Sequence, residues 1–464
     1  MSGKLIFHIH TYGCQMNERD SELAAGLLLE QGHQQADNEQ DADLIIVNTC
    51  SVRAKAEDKA LGKLGLLLAS RRQKPDLIVG VVGCMVQRMQ QDLWRTLPGL
   101  DFALGPQHIT RLPEVLQRVR CGEGPCLEID ECRPESRHQP HTGGKIAAFI
   151  NILYGCNRRC SYCIVPRVRG PEFSRTAAEI IEEARGLLAS GVRDITLLGQ
   201  SVMSYGRSNP VWPLDHHSPR GFHEPLPRLL EALSALPRTA RLRFTSGHPS
   251  GCTAELARAM AELPPVCEHL HLPLQSGSDR ILKLMRRGYT SKEYRQAVRR
   301  LREALPDIAI TTDIIVGFPG ETAGDFAMTA DFMAEMQFDN AFIFKYNPRP
   351  DTPAAAWPDD VPDEEKMQRN QLLLTAQNRH SLESNRCLVG RTLEVLVTGP
   401  SRRNAARWSG RTRTNKIVVF SPREHIQRGD LITVPIDSAT AQALYGPQAR
   451  VDPDADRNSG KEKS

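Results

Sequence analysis

Cys156, Cys160 and Cys163 stand in the run YGCNRRCSYC, a C-x3-C-x2-C arrangement directly behind a predicted strand. Three thiolates this close can hold three irons of a 4Fe–4S cluster and leave the fourth iron without a protein ligand. An open iron can chelate the amino and carboxylate groups of S-adenosylmethionine (SAM) and pass it an electron. The sulfonium bond then breaks reductively to a 5′-deoxyadenosyl radical, chemistry that belongs to the cofactor pair. The competing reading is structural zinc, which takes four ligands, usually as paired C-x2–4-C knuckles; no second knuckle accompanies this one. Tyr162, just before the last cysteine, is placed either to edge against the adenine of SAM or to serve as a packing aromatic.

Cys14, Cys50 and Cys84 are 36 and 34 residues apart, roughly one strand–helix unit each, and each sits just past the carboxyl end of a predicted strand. In a parallel sheet those ends share one edge, which is where such folds bind ligands. Three residues remote in sequence are therefore expected to converge, in a geometry that suits a second cluster with three cysteine ligands and a free iron. The plainer alternative is three buried cysteines acting as small hydrophobes, against which the regular placement argues. A third triplet, Cys121, Cys126 and Cys132, has no strand to fix its geometry and reads as incidental; Cys252, Cys267 and Cys387 are isolated.

The elements that must position these residues form three segments. In residues 1–130 the apolar runs KLIFHIHTYGC, DADLIIVNTC and DLIVGVVGC alternate with amphipathic stretches such as ERDSELAAGLLLEQG. Continuous apolar strands between helices predict a parallel sheet covered on both faces, an α/β domain. A linker near 121–144 is rich in Gly, Pro, His and charge. Residues 145–380 supply six further strand candidates, IAAFINILYG, RDITLLGQ, RLRFTSG, EHLHLPLQ, IAITTDIIVGF and NAFIFKY, with helical stretches between them. Six sequential βα units fit an open (βα)6 three-quarter barrel of the TIM type better than a closed eightfold one. Residues 381–446 change to short strands with turns between (TLEVLVTGP, RWSGRTRT, KIVVFS, DLITVPIDSA) and read as a small β-barrel. The polar stretch 447–464 is expected to be disordered.

The 464-residue chain is longer than one hydrophobic core usually serves. Its net charge of +4 is too small to imply nucleic acid by itself, so the placement of the basic residues decides. No run approaches a membrane span, and Met1 to His10 does not read as a secretion signal, so a cytoplasmic location is expected. Structural disulfides are rare there, and twelve cysteines then point to metal or redox chemistry.

A SAM pocket needs polar groups at the carboxyl ends of the barrel strands. Gln200, Thr245, Gln275, Ser276 and Asp313 occupy such positions, although each also suits a cap or turn. Arg286 and Arg287 are candidates for the SAM carboxylate or RNA phosphate, or for a solvated helix face. GFPGET, Gly317 to Thr322, is a glycine-rich turn whose amides could approach the adenosine, a weak signal alone. Arg402, Arg403, Arg407, Arg411, Arg413 and Lys416 fall within fifteen residues around Trp408, with no acidic residue among them. Basic groups attract phosphates and an aromatic can stack on an unpaired base, which favours RNA over a plain solvated face.

The run YGCNRRCSYCIVPRVRGPEFSR resembles the radical SAM signature of the methylthiotransferase family. TYGCQMNERDSE, VNTCSVRAKAEDK and VVGCMVQR resemble that family's amino-terminal domain, and GRTRTNKIVVF its carboxyl-terminal TRAM module. The resemblance covers nearly the whole chain outside the linker and tail. GCQMNERDSE and CSVRAKAE are most similar to the tRNA-modifying MiaB branch. The resemblance implies conversion of N6-isopentenyladenosine at position 37 of tRNA into its 2-methylthio derivative. Cys156, Cys160 and Cys163 would hold the radical-generating cluster, and Cys14, Cys50 and Cys84 an auxiliary cluster that handles sulfur. One SAM would methylate sulfur there; a second would supply the radical that removes hydrogen from adenine carbon 2. It implies as partners the anticodon stem-loop and an electron donor such as flavodoxin or ferredoxin, with a monomeric, membrane-free enzyme. Ser201 in GQSV and Ser246-Gly247 in FTSGHP depart from the family's usual residues. Open alternatives are a relative acting on threonylcarbamoyladenosine or on a ribosomal-protein aspartate, a non-catalytic iron–sulfur carrier that binds RNA, and a zinc-stabilised RNA-binding module.

Overall fold

The computed structural model describes residues 3–52, 54–129, 140–213, 217–423, 425–448 and 450–451. Cys132 and residues 452–464 lie outside the described residues, but 447–448 and 450–451, expected in a disordered tail, are paired as strands of the third unit, which extends its sheet past residue 446.

The first unit runs β1 (Ile6–Tyr12), α1 (Gln15–Glu30), β2 (Gln34–Gln35), β3 (Leu44–Thr49), α2 (Ala54–Ser70), β4 (Ile78–Gly83), α3 (Cys84–Met89), α4 (Asp92–Thr96), β5 (Phe102–Leu104), α5 (Leu112–Arg120) and β6 (Cys126–Glu128). All neighbours pair parallel, in the order β2-β1-β3-β4-β5-β6. The cause is visible in β3, LIIVNT, buried at every position. Alternate strand residues face opposite ways: Leu44 and Ile46 join Phe7, Val82 and Phe102 in one core, while Ile45 and Val47 join Val79, Val81 and Ala103 in the other. The short β6 falls where the sequence reads as linker. Cys126 opens it, buried and in register with Phe102, whereas Cys121 is exposed.

The second unit contains β7 (Ala147–Asn151), β8 (Leu153–Tyr154), α6 (Val165–Arg169), β9 (Phe173–Ser174), α7 (Ala177–Ala189), β10 (Asp194–Leu198), α8 (Pro225–Ser234), β11 (Arg241–Phe244), α9 (Ala254–Glu262), β12 (His269–His271), α10 (Asp279–Leu284), α11 (Ser291–Ala304), β13 (Ala309–Val316), α12 (Ala323–Met336), β14 (Asn340–Lys345) and α13 (Asp363–Arg386). The six long-range strands are those read from the sequence. They pair parallel as β7-β10-β11 and β12-β13-β14, and the Leu242–Val266 bridge joins the two halves. Together they form an open α/β barrel around one continuous apolar core. Capping boxes start three of its helices, at Thr176, Thr290 and Thr322. α13 continues through residue 380 to Arg386 without a break.

The third unit comprises β15 (Thr392–Ser401), β16 (Asn404–Arg411), β17 (Ile417–Ser421), β18 (Leu431–Pro435), β19 (Ser438–Ala439), β20 (Ala443–Gln448) and β21 (Arg450–Val451), one seven-stranded sheet in the order β19-β20-β17-β16-β15-β18-β21. It curls into a half-barrel around Val395, Val418, Phe420, Ile432 and Val434.

Candidate active site

Parallel pairing brings the ends of β1, β3 and β4 side by side, and the three cysteines follow those ends. A buried amide ladder fixes their spacing. Asn17 Nδ2 donates to Asn48 Oδ1 at 3.0 Å and to Thr49 O at 3.1 Å; Asn48 Nδ2 donates to Asn17 O and Ser21 Oγ, both at 2.9 Å. Gly83 permits the closest approach: its φ is +103°, and a Cβ there would stand 2.5 Å from Thr49 O. Cys50 and Cys84 are buried and Cys14 half-buried. Arg169, at the end of α6, donates from Nε to Cys84 Sγ at 3.3 Å and from Nη2 to Asp20 Oδ2 at 2.6 Å.

The second trio sits on one loop. Gly155 turns the chain at φ +69°, where a Cβ would overlap Pro171 O. Ser161 then ties the loop to the barrel, donating from N to Met285 O at 3.0 Å and from Oγ to Leu284 O at 2.8 Å. Arg287 is buried, not on a solvated helix face, whereas Arg286 is exposed. Arg287 Nη1 donates to Cys160 Sγ at 3.3 Å and to the Tyr162 hydroxyl at 3.4 Å.

All six cysteines line one cavity of about 290 Å³ between the first unit and the barrel. Gln200, Gln275, Asp313 and Tyr162 line it too, together with Arg158, Arg169, His248, His271 and Arg287. Gln200 is one of these lining residues, and its Oε1 is buried without a hydrogen-bond partner among the described residues. Gln275 holds a positive φ of 75° in the stretch after β12, where it bridges to Ile314. His271 Nε2 lies 3.2 Å from Asp313 Oδ2 and its Nδ1 2.9 Å from Thr311 Oγ1.

Other expected residues sit elsewhere. Thr245 does not line the cavity. Ser276 is turned inward, its Oγ 3.2 Å from Thr329 Oγ1 and accepting from Ser278 N. The Gly317–Thr322 turn is closed on itself: Gly317 N donates to Glu321 Oε2 and Gly320 N to Asp360 Oδ1, so neither amide is free for a ligand. In the third unit Arg413 is paired with Glu268 of the barrel and donates to Val266 O. Lys416 reaches Asp339, Ser384 and Asn385. Both hold the seam against the barrel, which is why neither stands free for phosphate. Arg407 donates to Val419 O and Gly446 O, and Arg411 to Asn415 O. Trp408 packs on the half-barrel core; Arg402 and Arg403 are exposed. Arg169, His248 and His271 carry no signal of their own in the sequence, although Arg169 lies six residues past the last cysteine.

Burial pushes the Cys163 thiol up to about 12, with Cys160 adding to it, and burial also raises Cys84. Cys14 is pulled the other way, by a hydrogen bond from Cys50 and by the Arg169 charge. Without metal most of these groups are thiols; a bound cluster would displace their protons. Among the described residues no His, Cys, Asp or Glu trio is arranged to share a single metal ion. A cubane asks something different, since each thiolate binds its own iron at a separate corner. The donor chemistry therefore fits two clusters: three thiols per site, a buried guanidinium beside each, and a chamber between. Burial and the charges of Arg287 and Arg158 lower His248 to about 2. It is thus neutral, with Nε2–H donating to Arg287 O at 3.2 Å and Nδ1 accepting from Ser250.

Family models match in the same order as the three units. The "uncharacterized protein family UPF0004" covers residues 6–105, the Radical SAM superfamily 150–333 and the TRAM domain 386–447. The tRNA-2-methylthio-N(6)-dimethylallyladenosine synthase of Akkermansia muciniphila is 42% identical over 456 residues, covering 95% of this chain and 98% of that one. The protein of the same description from Moorella thermoacetica is 43% identical, covering 96% and 99%. Among solved structures, the radical S-adenosylmethionine methyltransferase TsrM from Kitasatospora setae superposes with a TM-score of 0.55 over 75% of each chain at 17% identity, a likeness of fold. The chain belongs to the tRNA-2-methylthio-N(6)-dimethylallyladenosine synthase family of radical SAM proteins.

Proposed function

We propose that this protein is a radical SAM tRNA methylthiotransferase that converts N6-isopentenyladenosine at position 37 into 2-methylthio-N6-isopentenyladenosine. The observation that carries this reading is one chamber lined by two cysteine trios, one from each of two units. Bound there, the clusters supply the electron that breaks SAM's sulfonium bond and the metal edge on which sulfur is handled. The chain's own residues do the rest. Cys156, Cys160 and Cys163 are the proposed ligands of one cluster, Cys14, Cys50 and Cys84 of the other. Arg287 and Arg169 hydrogen-bond a sulfur in each trio and offset the negative charge of thiolate ligands. Neutral His248 braces the Arg287 backbone, and Gln200, Gln275 and Asp313 offer polar atoms to SAM. The walls on both sides keep bulk water from a radical.

Arg402 and Arg403 are the proposed phosphate contacts, with Arg407, Trp408 and Arg411 shaping the same sheet. The reading places the enzyme in the cytoplasm as a monomer served by a flavodoxin or ferredoxin. No helix among the described residues is long and apolar enough to cross a membrane. The test is nucleoside analysis of tRNA from a deletion strain: 2-methylthio-N6-isopentenyladenosine should vanish and its unmethylthiolated precursor accumulate. An unchanged level would refute the substrate.

A further inference from the structure

The third unit and the chamber lie at opposite ends of the barrel. Arg241 and Arg243 at the start of β11, Glu268 before β12 and Asp339 before β14 bind the third unit, so it seats on the amino ends of the strands. The chamber lies at or beyond their carboxyl ends. A six-residue strand such as β14 spans roughly 20 Å. An RNA that touches both ends must therefore run along the barrel's side, and the open side is the gap between the first strand, β7, and the last, β14.

On β14, Ala341 and Ile343 point into the helix-covered core, so the alternate residue Phe342 points into the lumen. Phe342 pairs in register with Asp313, a residue of the chamber wall. Phe342 is 48% exposed, and no other Phe, Tyr or Trp among the described residues is as open to solvent. One edge of the ring is supported. His271 meets it edge-on, with centroids 5.9 Å apart at 70°, and His271 is itself held by Thr311 and Asp313. A bare aromatic ring beside the chamber wall, on a strand whose amino end meets the basic third unit, has the chemistry of a base-stacking surface.

We propose that Phe342 is the platform on which an unpaired base of the RNA substrate stacks as the target nucleotide enters the chamber. This rests on the RNA-substrate reading above and assigns a positioning residue to it. The test uses the anaerobically reconstituted full chain and a synthetic anticodon stem-loop carrying 2-aminopurine at unpaired loop positions, one at a time. Stacking quenches that fluorophore. The wild-type protein should quench one position on binding. Phe342→Ala should lose the quenching and bind roughly tenfold more weakly, within the range of one base–aromatic stack. Phe342→Trp should restore both, and the loss should be equal at low and high salt because stacking is not ionic. An unfolding midpoint shared by all three proteins guards against a folding artefact. If the wild type binds and Phe342→Ala matches it in quenching and affinity, the stacking role is overturned while the RNA reading stands. If the wild type dimerises and Phe342→Ala is monomeric with RNA binding intact, the ring seats a second copy and the proposal is likewise overturned. No binding by the wild type would remove the RNA reading itself.

Discussion

The two cysteine trios reach one chamber by opposite routes. Cys156, Cys160 and Cys163 are neighbours in sequence and need only one loop to be brought together. Cys14, Cys50 and Cys84 meet because three parallel strands end at one edge, which makes their geometry a property of the whole first sheet. Each trio has one buried arginine donating to a sulfur at 3.3 Å. The arginines differ in company. Arg169 is paired with the buried carboxylate of Asp20, whereas Arg287 meets tyrosine hydroxyls and a backbone carbonyl. One site is braced by a buried ion pair between two helices, the other by a guanidinium held by hydroxyls and a carbonyl under a loop. The lesson is that the same ligand set can be specified locally or topologically, and the two fail differently when disturbed.

The sharpest way to break this comparison is to remove cysteines. Alanine at Cys156, Cys160 or Cys163 should reduce 5′-deoxyadenosine release to background. Alanine at Cys14, Cys50 or Cys84 should leave that release measurable and abolish methylthiolation. Anaerobic assays with dithionite read both, and loss of SAM cleavage with sulfur transfer intact would reverse the assignment. Next in size are the arginines. Arg169→Leu strands a buried Asp20 and should cost about 3–5 kcal/mol in denaturant unfolding; Arg287→Met leaves no carboxylate behind and should cost clearly less. Equal losses would dissolve the distinction. Asn48→Ala removes hydrogen bonds from the ladder behind the first trio and should cost about 1–3 kcal/mol, lowering iron content at that trio alone. The smallest effect is at the surface. Alanine at Arg402 and Arg403 should weaken tRNA binding a few fold and flatten its salt dependence, as followed by filter binding across a salt series.

The same contrast explains what was legible in the sequence. C-x3-C-x2-C announces its chemistry in eight residues, and the regular spacing of Cys14, Cys50 and Cys84 became legible once strand ends were inferred from apolar runs. All six barrel strands were readable because each lies in an apolar-rich stretch set between helical patterns. The short strands β6 and β9 were not, since neither sits in a longer apolar run with a periodicity to read. Side-chain direction was the other gap. Ser276 and Gln275 are adjacent in the stretch after β12, yet only Gln275 lines the cavity. Arg413 and Lys416 look as free in sequence as Arg402; only the packing of the third unit on Glu268 and Asp339 reveals that they form a seam. Arg287 gave no sign of burial because these partners lie on two other segments, the cysteine loop and the stretch at Pro273.

The direct trial of the central claim is an anaerobic count of iron and sulfide per chain in three proteins: wild type, the variant with alanine at 14, 50 and 84, and the variant with alanine at 156, 160 and 163. Two independent three-cysteine sites predict about eight of each in the wild type and about four in either variant. A wild type that holds about four, or a variant that loses all its iron when only one trio is removed, would contradict the account.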